Sequence, residues 1–165
     1  MDFYFSAKGR ICRKDFWLKY VLVMLGVYVV FALVIGGLGA VLAQSGSVEA
    51  VGLLGLVALP IYIAMIWVYV CVSAKRFHDR NMSGWWALWF ILISLVPSAI
   101  QFGAMAAMGP EASAPIVILA GLLALVILIA QIVILGFLPG TKGPNQYGPD
   151  PLDPNAAASA EEVFS

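Results

Sequence analysis

Charge is what this chain has least of. Lys, Arg, Asp and Glu make up 11% of its 165 residues, where a soluble domain carries about 25%. With 62% hydrophobic residues, too little polar surface remains to coat a globule, and the expected solvent is lipid. Cysteine is nearly missing as well. Two Cys with no paired spacing exclude a disulfide framework and a zinc ribbon. A single His with no second ligand at metal spacing gives no metal site, and no cofactor is expected. Enzyme templates fail in the same way. The chain lacks the second His of many phosphoryl-hydrolysing membrane enzymes and the paired Asp of a metal-dependent lipid transferase. It also lacks a Gly-x-Ser-x-Gly elbow with a His partner and a Walker loop. No acid is buried within a span, which weighs against a proton-coupled carrier. No nucleic-acid partner is expected.

Long apolar runs are what the chain does have. Four of them, about 20–43, 48–74, 85–108 and 116–138, each suffice to cross a hydrocarbon core of about 30 Å at about 1.5 Å per residue. The expected fold is an all-α integral membrane protein, four transmembrane helices in a bundle. Pro60 and Pro97 fall inside runs and predict kinks. A basic leader, 1–19, precedes the first run. A basic loop, 75–84, follows the second, and a Pro/Gly-rich segment, 139–151, follows the fourth. Residues 152–165 read as a disordered tail. Val41-Leu42-Ala43 is a passable cleavage site, but the apolar run before it is too long for a signal peptide's core of about 7–15 residues, so a retained span is favoured.

All nine Lys and Arg lie in three places: five in the leader, three in the central loop, one in the Pro/Gly segment. The turns around Gln44–Ser47 and Gly109–Pro115 carry none, only Glu49 and Glu111 nearby. With four spans the basic segments share one side. The positive-inside rule then puts both termini and the central loop in the cytoplasm. Trp17, Trp67, Trp85, Trp86 and Trp89 cluster toward that side as an interfacial belt. Small residues recur four apart at Ala32, Gly36 and Ala40, at Ala99, Gly103 and Ala107, and at Ala120 and Ala124. They read as seams of the bundle, or as contacts of a homo-oligomer. Gln101 and Gln131 are the deepest strongly polar side chains, and Ser94 and Ser98 suit hydrogen bonds between helices.

The chemistry concentrates in Lys75-Arg76-Phe77-His78-Asp79-Arg80-Asn81-Met82-Ser83-Gly84-Trp85-Trp86. The plain reading is that its cations set topology and touch headgroups. The sharper one is that Arg10, Arg13, Lys75, Arg76 and Arg80 converge on an anion, since guanidinium forks suit phosphate and carboxylate. Ser83 would cap a helix start whose N–H groups add to the site, with Gly84, Trp85, Trp86 and His78 in support. Asp79 reads as an internal tie to Arg10, Arg13 or Arg76 rather than as a catalyst. The Pro/Gly segment, fixed by Tyr147, is expected to fold back over the basic residues.

Three blocks together, Gly9 to Trp17, Lys75 to Trp86 and Pro139 to Pro151, resemble a known family called domain of unknown function 805, small bacterial inner-membrane proteins of about four spans. The resemblance covers roughly residues 3–151. It implies location and architecture, and no activity. One departure is Cys12, where the family usually has a small polar residue. Ser there, three before Asp15, would make a capping box. The leading functional expectation is a non-enzymatic membrane protein that binds an anionic phospholipid headgroup or small phosphorylated ligand. A small transporter or channel acting as an oligomer is the alternative, and a lipid-modifying enzyme using His78 and Asp79 comes third.

Overall fold

A computed structural model describes residues 2–44, 46 and 48–153. The acidic tail from 154 onward lies outside them. A short helix, α1 (Asp2–Phe5), opens the chain. Three helices among the described residues are long and apolar enough to cross a membrane: α2 (Arg13–Leu42), the body of α3 (Val48–Asp79) and α4 (Trp85–Phe137).

The 53 residues of α4 would reach about 80 Å if straight, far more than a bilayer core. They are not straight. Gly109 has φ 77 and ψ 170, outside helical geometry, in a region that favours glycine. Pro110 then opens the second limb, a position where its missing N–H costs nothing. Gln131 Nε2 donates to Ser94 Oγ at 2.7 Å across 37 residues, so the two limbs lie side by side. The break expected over 109–115 is thus a single residue, and 110–115 is already helical.

Two boundaries differ from expectation. The first membrane-length helix, α2, begins at Arg13, with Cys12 at the N-cap in extended geometry (φ −76, ψ 165) and no side-chain cap bond. Cys12→Ser should therefore supply a hydroxyl acceptor and raise stability by about 1 kcal/mol, read as a higher Tm in detergent. At the other end of the basic loop, α3 runs on through Asp79. Lys75, Arg76, His78 and Asp79 are its last turns, not a loop. The helix closes in a Schellman motif. Met82 N–H reaches Phe77 O and Asn81 N–H reaches His78 O, both at 2.9 Å, with Asn81 left-handed at φ 58.

Burial is concentrated at the basic end. Ile11, Phe16, Tyr20, Met24, Met65, Val68, Val72, Ala74, Phe77, Ala87 and Leu135 form one core there. Little of the helices' apolar length is covered by protein elsewhere. Two of the three small-residue stripes expected as internal seams face outward instead, at Ala32, Gly36 and Ala40 and at Ala99, Gly103 and Ala107. A Cβ added to Gly36 or Gly103 would meet nothing within 4 Å. Only Ala120 is fully buried among the stripe residues.

Candidate functional site: an arginine clasp at the basic end

The last four carbonyls of an α-helix have no partner within it. At the end of α4 each of four successive carbonyls receives a side-chain donor. Arg76 Nε donates to Leu135 O at 2.6 Å and its Nη2 to Leu138 O at 3.0 Å. Trp17 Nε1 donates to Gly136 O at 3.1 Å, and Arg13 Nη1 to Phe137 O at 3.2 Å. The contacting cations also complement the negative end of the helix dipole. Gly136 is required by this closeness: a Cβ there would sit 2.7 Å from Trp17 Cζ2.

Arg76 is fully buried. Its Nη1 donates to Ile11 O at 3.1 Å and to Asp79 Oδ2 at 2.9 Å. Arg10, with its side chain 1% exposed, meets Asp79 Oδ1 at 3.1 Å. One carboxylate thus lies between two buried guanidinium groups, one from the leader and one from α3. An isolated buried charge is very costly, whereas a paired, hydrogen-bonded one persists. The expected Asp79 tie is present with Arg10 and Arg76; Arg13 goes to Phe137 O.

The Pro/Gly segment closes over this pair. Arg10 donates from Nη1 to Gly143 O at 2.7 Å and from Nη2 to Thr141 O at 2.6 Å. Thr141 N–H and Oγ1 both donate to Asp79 O, at 2.7 and 3.1 Å. Asn145 Nδ2 donates to His78 O at 2.9 Å, so the segment caps the exposed carbonyls of α3. Tyr147 stacks on His78, centroids 3.9 Å apart and planes 4° from parallel. A Cβ at Gly140 would fall on the Asp79 carboxylate; only glycine allows the chain to pass there. Asp150 holds the far side. Backbone N–H groups of Leu152 and Gly143 keep its carboxyl below the usual range. That folded-state pKa is lowered, so this tie is present at neutral pH and is lost as pH falls through it.

The other sequence-derived residues divide. Lys75 Nζ donates to Phe3 O at 3.0 Å and lies 5.4 Å from the Phe3 ring centroid. Arg80 is half-buried, and its guanidinium has no partner among the described residues. Ser83 is not the N-cap of α4; Gly84 holds that position. Ser83 nevertheless takes two of the N–H groups expected to be free, Trp85 N–H on Oγ at 3.4 Å and Trp86 N–H on its carbonyl at 3.3 Å. Trp85 and Trp86 are exposed. Arg10, Arg13 and Arg76 thus meet around Asp79 and the end of α4, Lys75 and Arg80 lie apart from them, and Arg10 and Arg76 spend their donors on protein. Gly136, Gly140, Thr141 and Asn145 were not picked out from the sequence, where they look like generic breakers and linker residues.

Two openings flank the clasp. A small cavity of about 130 Å³ lies under the Pro/Gly segment, against Cys12, Arg13, Asp79, Gly140 and Lys142. A groove of about 490 Å³ lies against His78, Tyr147 and Trp67. Between the limbs of α4 and α3, Tyr69 Oη donates to Gln131 Oε1 at 3.3 Å. Gln131 is therefore a polar joint of the apolar region, with Ser94 as foreseen; no such bond involves Ser98 among the described residues. No group of three or more His, Cys, Asp or Glu placed to hold a metal occurs among the described residues.

Comparison with known proteins identifies a family. Residues 4–149 match the family model described as protein of unknown function, DUF805. The protein YiiR of Escherichia coli (strain K12), itself uncharacterised, is 30% identical over 157 residues, covering 90% of this chain and 88% of YiiR. Inner membrane protein YhaH of the same organism is 26% identical over 152 residues, 92% of each chain. No solved structure matches. The three blocks that carry the resemblance are the three segments the clasp ties together, and the chain belongs to the DUF805 family.

Proposed function

We propose that this is a four-pass protein of the bacterial inner membrane, both termini cytoplasmic, whose basic end engages an anionic phospholipid headgroup. Support for four passes comes from the reversal of α4 at Gly109. Its start, beside His78, and its end, on Arg76, lie at the same end of the molecule. Support for the side comes from the charge pattern, since eight cations against three carboxylates stand in residues 1–19 and 75–84. Support for the membrane itself comes from the relative named inner membrane protein.

The observation that carries the lipid reading is the division of the cations. Arg10 and Arg76 build the platform, while among the described residues the Arg80 guanidinium has no partner and Arg13 is exposed with one N–H in use. A cation near an anionic surface contributes about 1 kcal/mol. Arg13→Gln/Arg80→Gln should therefore lower retention of phosphatidylglycerol in native mass spectrometry by about tenfold or more, with raised salt mimicking the effect in wild type. Equal retention by variant and wild type would reduce these cations to topology signals. A homo-oligomer is the second reading, favoured by the outward stripes at Gly36 and Gly103. The same spectra report it as a multiple of the chain mass.

A further inference from the structure

The groove beside His78 is built differently from the lipid-facing surface around it. Its walls are Trp67, Val70, Trp85 and Leu88, and His78 stacked on Tyr147 stands at one end. Trp67, Trp85 and Leu88 are 55%, 69% and 38% exposed, so the groove is continuous with the surface that meets the bilayer. Trp at such a place marks headgroup level.

The His78 ring is oriented by its surroundings. Nδ1 lies 3.2 Å from Gly9 O. A carbonyl only accepts, so Nδ1 carries the proton, and in the neutral ring Nε2 presents a lone pair. Nε2 has no hydrogen-bond partner among the described residues. The residue facing it is Gly84, where a Cβ would sit 2.9 Å from Nε2 and 3.0 Å from Ala74 Cβ. Gly84 lies against that edge of the ring without the side chain that would fill the space, and both residues line the groove. A polar acceptor at the end of an apolar groove calls for an amphipathic occupant with a donor at its polar end.

We infer that the groove seats one phospholipid, with an acyl chain along Trp67, Val70 and Leu88 and a hydroxyl-bearing anionic headgroup donating to His78 Nε2. This rests on the anionic-lipid reading above and adds the site and the headgroup chemistry. The surplus of cations at this end, Arg80 among them, complements the phosphate.

The test uses the whole protein in mild detergent, given equal phosphatidylglycerol and phosphatidylmethanol of identical chains. Both carry one negative charge, and only the first has headgroup hydroxyls. Wild type should retain phosphatidylglycerol about fivefold over phosphatidylmethanol, the worth of one hydrogen bond. His78→Phe keeps a ring against Tyr147 and removes the acceptor, and should abolish the preference. Leu88→Trp, at an outward position whose folding is undemanding, should fill the groove and lower retention of both lipids. Salt-sensitive binding of both lipids without preference would overturn the inference and leave the anionic reading standing. So would a preference that survives in His78→Phe, or unchanged retention in Leu88→Trp. Retention of neither lipid by wild type would overturn the anionic reading as well.

Discussion

Asp79→Asn should destabilise the protein by about 3–5 kcal/mol, the usual cost of leaving buried charge without its partner. The carboxylate is 5% exposed, and the Arg10 and Arg76 side chains it joins are 1% and 0% exposed. Asparagine keeps the shape and one acceptor oxygen but removes the carboxylate that pairs directly with both cations. Against a total stability of about 5–15 kcal/mol, that loss is large. It should appear as a sharp fall in Tm in detergent and in membrane accumulation. Asp15→Asn is the control. Its partner Lys19 is 58% exposed at 3.0 Å, and such surface pairs contribute about 0–1 kcal/mol. Equal melting of the two variants would mean that the clasp holds nothing.

Gly140→Ala should release the Pro/Gly segment. The new methyl would occupy the place of the Asp79 carboxylate, so either the segment lifts or Asp79 leaves its arginines. Overpacking alone costs about 1–3 kcal/mol, and lifting the segment also gives up the bonds from Thr141 and Asn145 to the end of α3. Trypsin cleavage at Arg80 and Lys142 should rise several-fold, as burial of the backbone is lost. Gly103→Ala, with open space around it, should leave cleavage unchanged. A Gly140→Ala variant as resistant as wild type would show that the segment is not seated on Asp79.

Much of this fold is legible in the sequence because lipid leaves few options: every backbone group in the apolar region must be satisfied by helix. Run lengths therefore located the helices, and the cation pattern located the basic end. The inner boundary of the basic block was not legible. Lys75 and Arg76 look like loop residues by charge, yet they are helical and buried, since their partners are carbonyls of Phe3, Ile11, Leu135 and Leu138. Backbone acceptors leave no trace in residue identity. Convergence of Arg10, Arg76 and Asp79 was foreseeable from charge alone, whereas the need for Gly136 and Gly140 depends on atoms more than fifty residues away in sequence. Two of the small-residue stripes do not form internal seams for the opposite reason. Their spacing fixes a helix face, not what lies against it.

In the proposed topology the leader, the end of α3 and the Pro/Gly segment form one cytoplasmic assembly, with Gly109 turning at the far side. The direct measurement is labelling of single cysteines by a membrane-impermeant maleimide, in a Cys12→Ser/Cys71→Ala background. Cysteines placed at Lys8, Asn81, Lys142 and Glu111 would be compared in spheroplasts and inverted vesicles. The first three should label only in inverted vesicles and Glu111 only in spheroplasts. Labelling of Glu111 and Asn81 from the same side, or of Lys8 and Lys142 from opposite sides, would contradict the four-pass clasp.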